Sequence, residues 1–545
     1  MRYPVCFKEI PVAFLACAAL GIFASRVIRV AWDIPSAYGA VPALLLFMFL
    51  LSRMSGRNRD VVRGGRVTFV LGAAASALLM GYCYVVDAFG SFDIPAVLFH
   101  LSQGLEVEGD PKVVRYFFMY VLIWAAFTWA VSYVKSNDLR LRHTGRIALA
   151  ACLLFNPLWL QAFDYVSTDE SLRGRLAAQY QPPRLGDAMR VPRKNLVIIY
   201  LESMERTLGD PTFGDIYDDV EAMEADALSF TGLEQVEGVG WTTAGMVGSQ
   251  CGVPLMPDGI LGGNNLERAE EFLPGAECLG SVLAEKGYAT TYVGGADLDF
   301  AGKGDFYREH GFQRVYGRDD LLQAHPGDVN GWGVPDDAVF EATLGEWRQL
   351  HAQGQPYFLA MLTTGAHAPD GFPTRACERE WGERYEKNIE LGVKCSAWLA
   401  RRLIARARRQ GLLENTAVVV LSDHLMHKSS LSGRLEELPR RLLFMVFDDD
   451  LAPGKVDRAG SILDAYPTML DVLGLVDERA PKAGLGVSLF SGKRNLIESF
   501  GTEGLDEMIR KDRPLRARLW GHDPSETADA EAAREGAGLT AASKR

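Results

Sequence analysis

The chain has 545 residues, 48% of them apolar, and a formal net charge of −12. That length allows several domains, and the acidic balance excludes nucleic acid as a partner. The apolar residues are spread unevenly and crowd into the first third.

Four uncharged stretches lie there, Ile34–Ser52, Val67–Val86, Tyr116–Val134 and Ile147–Phe163. Each is close to the ~20 apolar residues that a membrane helix needs. Ile10–Ser25 is a fifth. It reads as a membrane helix rather than a cleaved signal peptide, because no convincing small-x-small cleavage site precedes the next apolar run. Residues 1–163 are therefore expected to form an anchor of five helices. Loop 53–66 holds five Arg against one Asp and loop 135–146 is again basic, whereas Asp87 to Arg115 carries five acids against two bases. Basic loops stay in the cytoplasm, which places everything after Phe163 outside it. The stretches carry no acidic or basic residue, so they read as anchor and lipid contact rather than as a pump or channel.

Residues 164–194 are mixed in charge with a Pro-Pro step and read as a linker. Strand and helix patterns then alternate. Residues 195–203, 289–295, 357–362, 417–423 and 442–448 are apolar runs of the kind found in parallel strands buried on both faces. Residues 278–288, 383–411 and 461–475 have helical patterns. The alternation predicts an α/β domain over 195–512, with a mostly parallel sheet sandwiched by helices. Residues 513–545 turn to Ala, Glu and Gly and are expected to be a disordered tail.

Cys251, Cys278, Cys377 and Cys395 all fall in the outer domain, where disulfides persist. Four cysteines allow three pairings. The sequence neighbours, Cys251–Cys278 and Cys377–Cys395, are the expected pairs, and four free thiols are the alternative.

Sites in parallel sheets lie beyond the carboxyl ends of the strands. Glu202 ends the first run and is either a site carboxylate or a helix cap; Glu205 beside it reads as a solvated or capping acid. Asp423 and His424 end the fourth run and have donors suited to one divalent ion; His427 is an extra contact or a surface histidine. In "GWTTAGMVGS" the small residues let an anion approach a helix start. A threonine there becomes a nucleophile if a metal ion or a base activates its hydroxyl. The same letters fit an ordinary threonine N-cap. His367, in "TTGAHAPDGF", stands where it can contact a substrate oxygen or protonate a leaving group. "GGADLDFAGKGDF" lacks the spacing of a nucleotide-binding loop, although Lys303 in it can meet a phosphate as a point charge. "GSQCG" lacks the spacing of a serine-hydrolase elbow.

The order Glu202, "GWTTAGMVGSQCGVPL", "GGADLDFAGKGDFYREHGF", "HAPDGF" and "VVVLSDHLMHKSS" resembles the alkaline phosphatase and sulfatase superfamily. Within it, the layout is similar to the membrane-anchored phosphoglycerol transferases, including lipoteichoic acid synthase and the phosphoglycerol transferase I family of osmoregulated periplasmic glucans. The resemblance implies that Glu202, Thr242, Asp423 and His424 bind one divalent cation, Mn²⁺ before Zn²⁺ or Mg²⁺, and that Thr242 is the nucleophile, with Thr243 as its rival. It implies substrate contacts from His367, Lys303, Trp241 and Thr243, phosphatidylglycerol as donor and a periplasmic glucan as acceptor. It also implies an inner-membrane enzyme whose catalytic domain lies in the periplasm. The sequence departs from the pattern at Gly365, where the family has an aspartate, and at Ala301 and Lys303, which stand for a Trp and an Arg. The alternatives are phosphoethanolamine transfer, ester hydrolysis on the same fold, and an inactive envelope sensor.

Overall fold

The apolar run from Asn195 becomes β1 (Asn195–Leu201), every residue of it buried. The computed structural model describes residues 22–23, 26, 66–89, 111–133, 171–186, 193–256, 271–324, 327–382, 388–477 and 479–522. The chain divides into two compact units, Met1–Ile94 with Val107–Ser167, and Pro95–Glu106 with Thr168–Arg545.

In the first unit, α1 (Arg66–Phe89) and α2 (Pro111–Tyr133) pack through Leu79, Met80, Cys83, Val86 and Tyr120. Among the described residues no helix is long and apolar enough to cross a membrane. The stretches Ile34–Ser52 and Ile147–Phe163, and nearly all of Ile10–Ser25, lie outside the described residues.

The second unit is built on one eight-stranded sheet. It adds β2 (Leu228–Glu234), β3 (Ala289–Gly294), β4 (Arg314–Tyr316), β5 (Tyr357–Leu362), β6 (Thr416–Ser422), β7 (Phe444–Phe447) and β8 (Gly454–Ser461), in the order β4-β3-β5-β1-β6-β7-β2-β8. Strands β4, β3, β5, β1 and β6 are parallel neighbours. Strand β7 runs antiparallel to both β6 and β2, and β2 is parallel to β8. The sheet is thus mostly parallel, with one correction: the run at 442–448 is the reversed strand. Residues 423–443 never cross back over the sheet, so the chain re-enters it from the end where β6 left. Strands β2, β4 and β8 carry too little apolar pattern to announce themselves; β4 has three residues, and most of β8 is solvent-facing.

Helices cover both faces. They include α3 (Thr242–Cys251), α4 (Leu279–Glu285), α5 (Lys303–Glu309), α6 (Asp336–Ala352), α7 (Arg375–Trp381), α8 (Ile389–Arg409), α9 (Ala465–Val472), α10 (Leu496–Lys511) and α11 (Arg513–Leu519). On one face Val197, Ile199 and Leu201 share a core with Trp347 of α6 and Leu403 of α8. Side chains alternate along a strand, so Tyr200 points the other way and bonds Ser249 of α3 at 2.7 Å.

Two expected boundaries move. Residues 171–186 are not a free linker: Leu176 and Tyr180 are buried, and Gln181 and Leu185 bridge to Gly484 and Val476. The fold also continues past 512, because Asp512 caps α11 through Leu515 N at 2.9 Å and accepts from Leu176 N at 2.6 Å. Trp520 then donates to Met256 O at 2.7 Å. The change to Ala, Glu and Gly follows this helix; residues 523–545 lie outside the described residues.

Candidate active site

The pairing of β1 with β6 sets Leu201 opposite Ser422. One residue further on, both strands have ended and Glu202 and Asp423 emerge side by side. Ser203 then takes a left-handed φ of 55°, a conformation that costs a non-glycine residue on the order of 1–3 kcal/mol. Its N–H donates to Asp423 Oδ1 at 2.9 Å and its hydroxyl to Glu202 Oε1 at 2.8 Å, so the strained turn holds both carboxylates. The neighbouring loop is tied down as well. Leu425 N donates to Gln235, and Met426 N to Glu205. Glu205 is fully buried in an ion pair with Arg440, so it is not solvated; it stands at the N-cap of the short helix Arg206–Gly209, but its side chain makes no cap bond there.

Glu202, Asp423 and His424 are each 1% exposed, and one donor atom from each lies within 4.8 Å of the others. His424 Nδ1 donates to Leu425 O at 2.8 Å, which leaves Nε2 facing the carboxylates, 3.4 Å from both Glu202 Oε1 and Asp423 Oδ2. Asp423 Oδ2 is buried and accepts no hydrogen bond from any described residue. Three electron-rich atoms facing one another need a cation among them. Against burial, the Asp423 and Glu202 charges push His424 up to about 9. Burial, reinforced by the Glu202 charge, pushes Asp423 up to about 8. A divalent ion would satisfy the same atoms, and hard oxygens with one imidazole suit Mn²⁺, Zn²⁺ or Mg²⁺.

Thr242 is the first residue of α3, and Trp241 occupies the N-cap position without a side-chain cap bond. Neither threonine caps the helix. Thr242 is half-buried and its Oγ1 lies 3.4 Å from Glu202 Oε2. Thr243 is fully buried, and among the described residues its hydroxyl finds no hydrogen-bond partner. The helix comes this close because of Gly245: a Cβ there would lie 2.7 Å from the Asp423 carbonyl carbon. Trp241 is buried beneath the helix start.

His367 follows β5 and is half-buried; its Nδ1 donates to Ala368 O at 2.7 Å, leaving Nε2 as the acceptor. Burial lowers its pKa, with Glu202 acting in the other direction. Lys303, the first residue of α5, is 3% exposed. Burial lowers it to about 8, against the pull of Glu202, Asp297 and Asp423. His427 is half-buried with its ring 4.6 Å from that of His424; burial and the two neighbouring imidazoles lower it to about 3. Trp332 was not apparent from the sequence: its ring stacks on His367 at 3.8 Å. A lone Trp in "NGWGVPDD" gives no signal for that contact.

The structure pairs Cys251 with Cys278 and Cys377 with Cys395. The first bond ties the end of α3 to the start of α4.

The phosphoglycerol transferase I of Xanthomonas euvesicatoria pv. vesicatoria is 38% identical over 327 residues, 55% of this chain and 45% of that protein. That of Citrobacter koseri is 33% identical over 456 residues, 80% of this chain and 58% of that protein. The chain thus spans about half the length of the curated relatives it matches. Among solved structures, an alkaline phosphatase superfamily protein from Vibrio parahaemolyticus aligns with TM-score 0.46 and 20% identity, covering 60% of this chain and 76% of that one. The lipoteichoic acid synthase LtaP of Listeria monocytogenes aligns with TM-score 0.43 and 13% identity, covering 65% and 97%. The Sulfatase family matches residues 194–475, from the start of β1 to beyond α9 and across more than half of the sequence, and the chain belongs to that family.

Proposed function

We propose that the protein transfers phosphoglycerol from phosphatidylglycerol to a hydroxyl of a periplasmic glucan, by way of a phosphorylated Thr242. The observation that carries this reading is a half-buried threonine hydroxyl 3.4 Å from a buried cluster of two carboxylates and one imidazole. Thr242 Oγ1 attacks the phosphorus and forms a new P–O bond, and the diacylglycerol oxygen leaves. His367 Nε2, the ring's acceptor nitrogen, takes the Thr242 proton and passes it to that oxygen. The acceptor hydroxyl then gives its proton to His367 Nε2 and attacks the same phosphorus, and Thr242 leaves with that proton. Lys303 balances charge on the non-bridging phosphate oxygens. Glu202, Asp423, His424 and the Thr242 hydroxyl would hold one divalent cation. When bound, it supplies the positive charge that favours a deprotonated threonine and neutralises the phosphate. Positioning and electrostatics account for most of the rate in such transfers.

The same reading places residues 1–163 in a five-helix membrane anchor, 195 onward in the periplasm, and the donor headgroup at the membrane surface. Phe117, Phe118, Val121 and Leu122 of α2 are 40–69% exposed, an outward apolar face that suits lipid contact. Curated relatives bearing the name phosphoglycerol transferase I support the group transferred. Mass spectrometry of the Thr242 peptide after incubation with phosphatidylglycerol vesicles tests the reading. A glycerophosphate increment on Thr242 is expected. An increment on Thr243 overturns the nucleophile, and a phosphoethanolamine increment from mixed vesicles overturns the donor.

A further inference from the structure

We infer that the segment Asn330–Asp336 is the positioning element of His367: Trp332 fixes the plane of its ring, and Asp336 fixes the turn that carries it. This rests on the reading of His367 as a group that faces the substrate phosphate. The imidazole stands on a turn, and its hydrogen bond to Ala368 O is made to its own neighbour. That bond chooses the tautomer but leaves the faces of the ring to be held by something else. Trp332 covers one face, with centroids 3.8 Å apart and planes 27° from parallel. Phe300 meets Trp332 edge-on at 5.8 Å. The aromatic stack therefore runs from the turn before Lys303 to His367 and joins the two loops that bear these groups.

Trp332 is itself anchored. Asn330 Oδ1 accepts from Trp332 N at 2.8 Å and from Gly333 N at 3.1 Å. Val334 N donates to Gly295 O at 2.8 Å, which ties the segment to the end of β3. Gly333 has φ 134°, and a Cβ there would lie 2.8 Å from the Gly295 carbonyl carbon, so only glycine allows the segment to lie this close. Three residues on, Asp336 opens α6. Its carboxylate, 1% exposed, accepts from Thr364 N at 2.7 Å, Gly365 N at 3.0 Å and Ser396 Oγ at 2.7 Å. A Cβ at Gly365 would sit 2.5 Å from Asp336 Oδ2; the absent side chain is what admits the carboxylate. One short segment thus grips the His367 turn from its backbone and its ring at once.

The test compares Trp332→Leu, Trp332→Phe, Asp336→Asn, His367→Ala and the double variant Trp332→Leu/His367→Ala in the full chain. Turnover on phosphatidylglycerol vesicles is measured together with thermal melting. Misplacing a reacting group by about 1 Å costs up to ~10²-fold, so Trp332→Leu should lower kcat by about 10- to 100-fold with KM little changed. Trp332→Phe, which keeps a stacking face, should restore most of it. In the His367→Ala background Trp332→Leu should add no further loss. Asp336→Asn should lower kcat in the same way. Losses that multiply in the double variant, or a Trp332→Phe protein that melts normally yet is as slow as Trp332→Leu, overturn the inference. A second readout needs no turnover. In ¹³C-histidine-labelled protein, one ring signal shifted by the indole should vanish in His367→Ala and move downfield in Trp332→Leu. An unmoved signal refutes the stack, whereas a moved signal in a protein inert toward phosphatidylglycerol refutes only the donor.

Discussion

Gly245→Ala adds a single methyl group to α3, and the structure specifies where that methyl goes. Its Cβ would lie 2.7 Å from the carbonyl carbon of Asp423 and nearer still to the oxygen, with the Asp423 Cα at 3.3 Å. Carbon atoms pack at about 3.5–4.0 Å, so the helix must retreat by about 1 Å. Residues three apart share a helix face, and Thr242 retreats with it, taking its Oγ1 from 3.4 Å to more than 4 Å from Glu202. Overpacking of this kind costs about 1–3 kcal/mol of stability, while 1 Å of misplacement at a reacting group costs up to ~10²-fold in rate. Turnover should therefore fall by one to two orders of magnitude in a protein that still folds. Gly248→Ala is the control, because its Cβ would meet the movable side-chain carbons Ile462 Cγ2 and Val239 Cγ1 at 2.9 Å. It should lose stability with far less effect on rate. Wild-type turnover in Gly245→Ala, at unchanged melting temperature, would refute the claim that this glycine sets the distance between the Thr242 hydroxyl and Glu202.

Three further outcomes are expected. Thr243→Val exchanges a buried, unpartnered hydroxyl for a methyl group; stability should hold or rise by up to ~1 kcal/mol, with turnover retained in a steady-state assay. Adding Mn²⁺ at about 100 times its Kd should stabilise the chelator-stripped protein by about 2.7 kcal/mol, read as a higher melting temperature, and Asp423→Asn should abolish that gain. Lys303→Met should raise the melting temperature at pH 7 by removing a buried charge. Lys303 titrates near 8 in the folded protein against 10.5 ordinarily. The unfolded chain therefore holds more protons between those values, and wild-type stability climbs with pH across that window. The advantage of Lys303→Met should shrink from pH 8 upward, which melting curves across pH will show.

The central strands were legible because each carries an unbroken apolar run, and the clustered Glu202, Asp423 and His424 because they stand at the ends of those runs. Glu202 and Asp423 needed only the rule that parallel sheets place chemistry beyond their carboxyl ends. Strands β2, β4 and β8 were not legible, since they are short or exposed and owe their form to the neighbour they pair with. Strand β7 was found but its direction was not: an apolar run reads the same either way along the sheet. The choice between Thr242 and Thr243 is invisible in the letters, because adjacent helical residues differ only in where they face once α3 has docked. Trp332 and Asp336 were missed for a related reason, as their roles consist of contacts with a turn some thirty residues away.

The register of β1 against β6 also sets an order in time. Ser203 and Asp423 touch across 220 residues of sequence, so the carboxylate pair does not exist until the chain has been made beyond β6. A chain cut short before Thr416 leaves β1 without its neighbour on that side and the threonine helix without the backbone it rests on. Partial products of synthesis therefore lack the carboxylate cluster, and on the proposed function the Thr242 hydroxyl gains its partner only once β6 is in place.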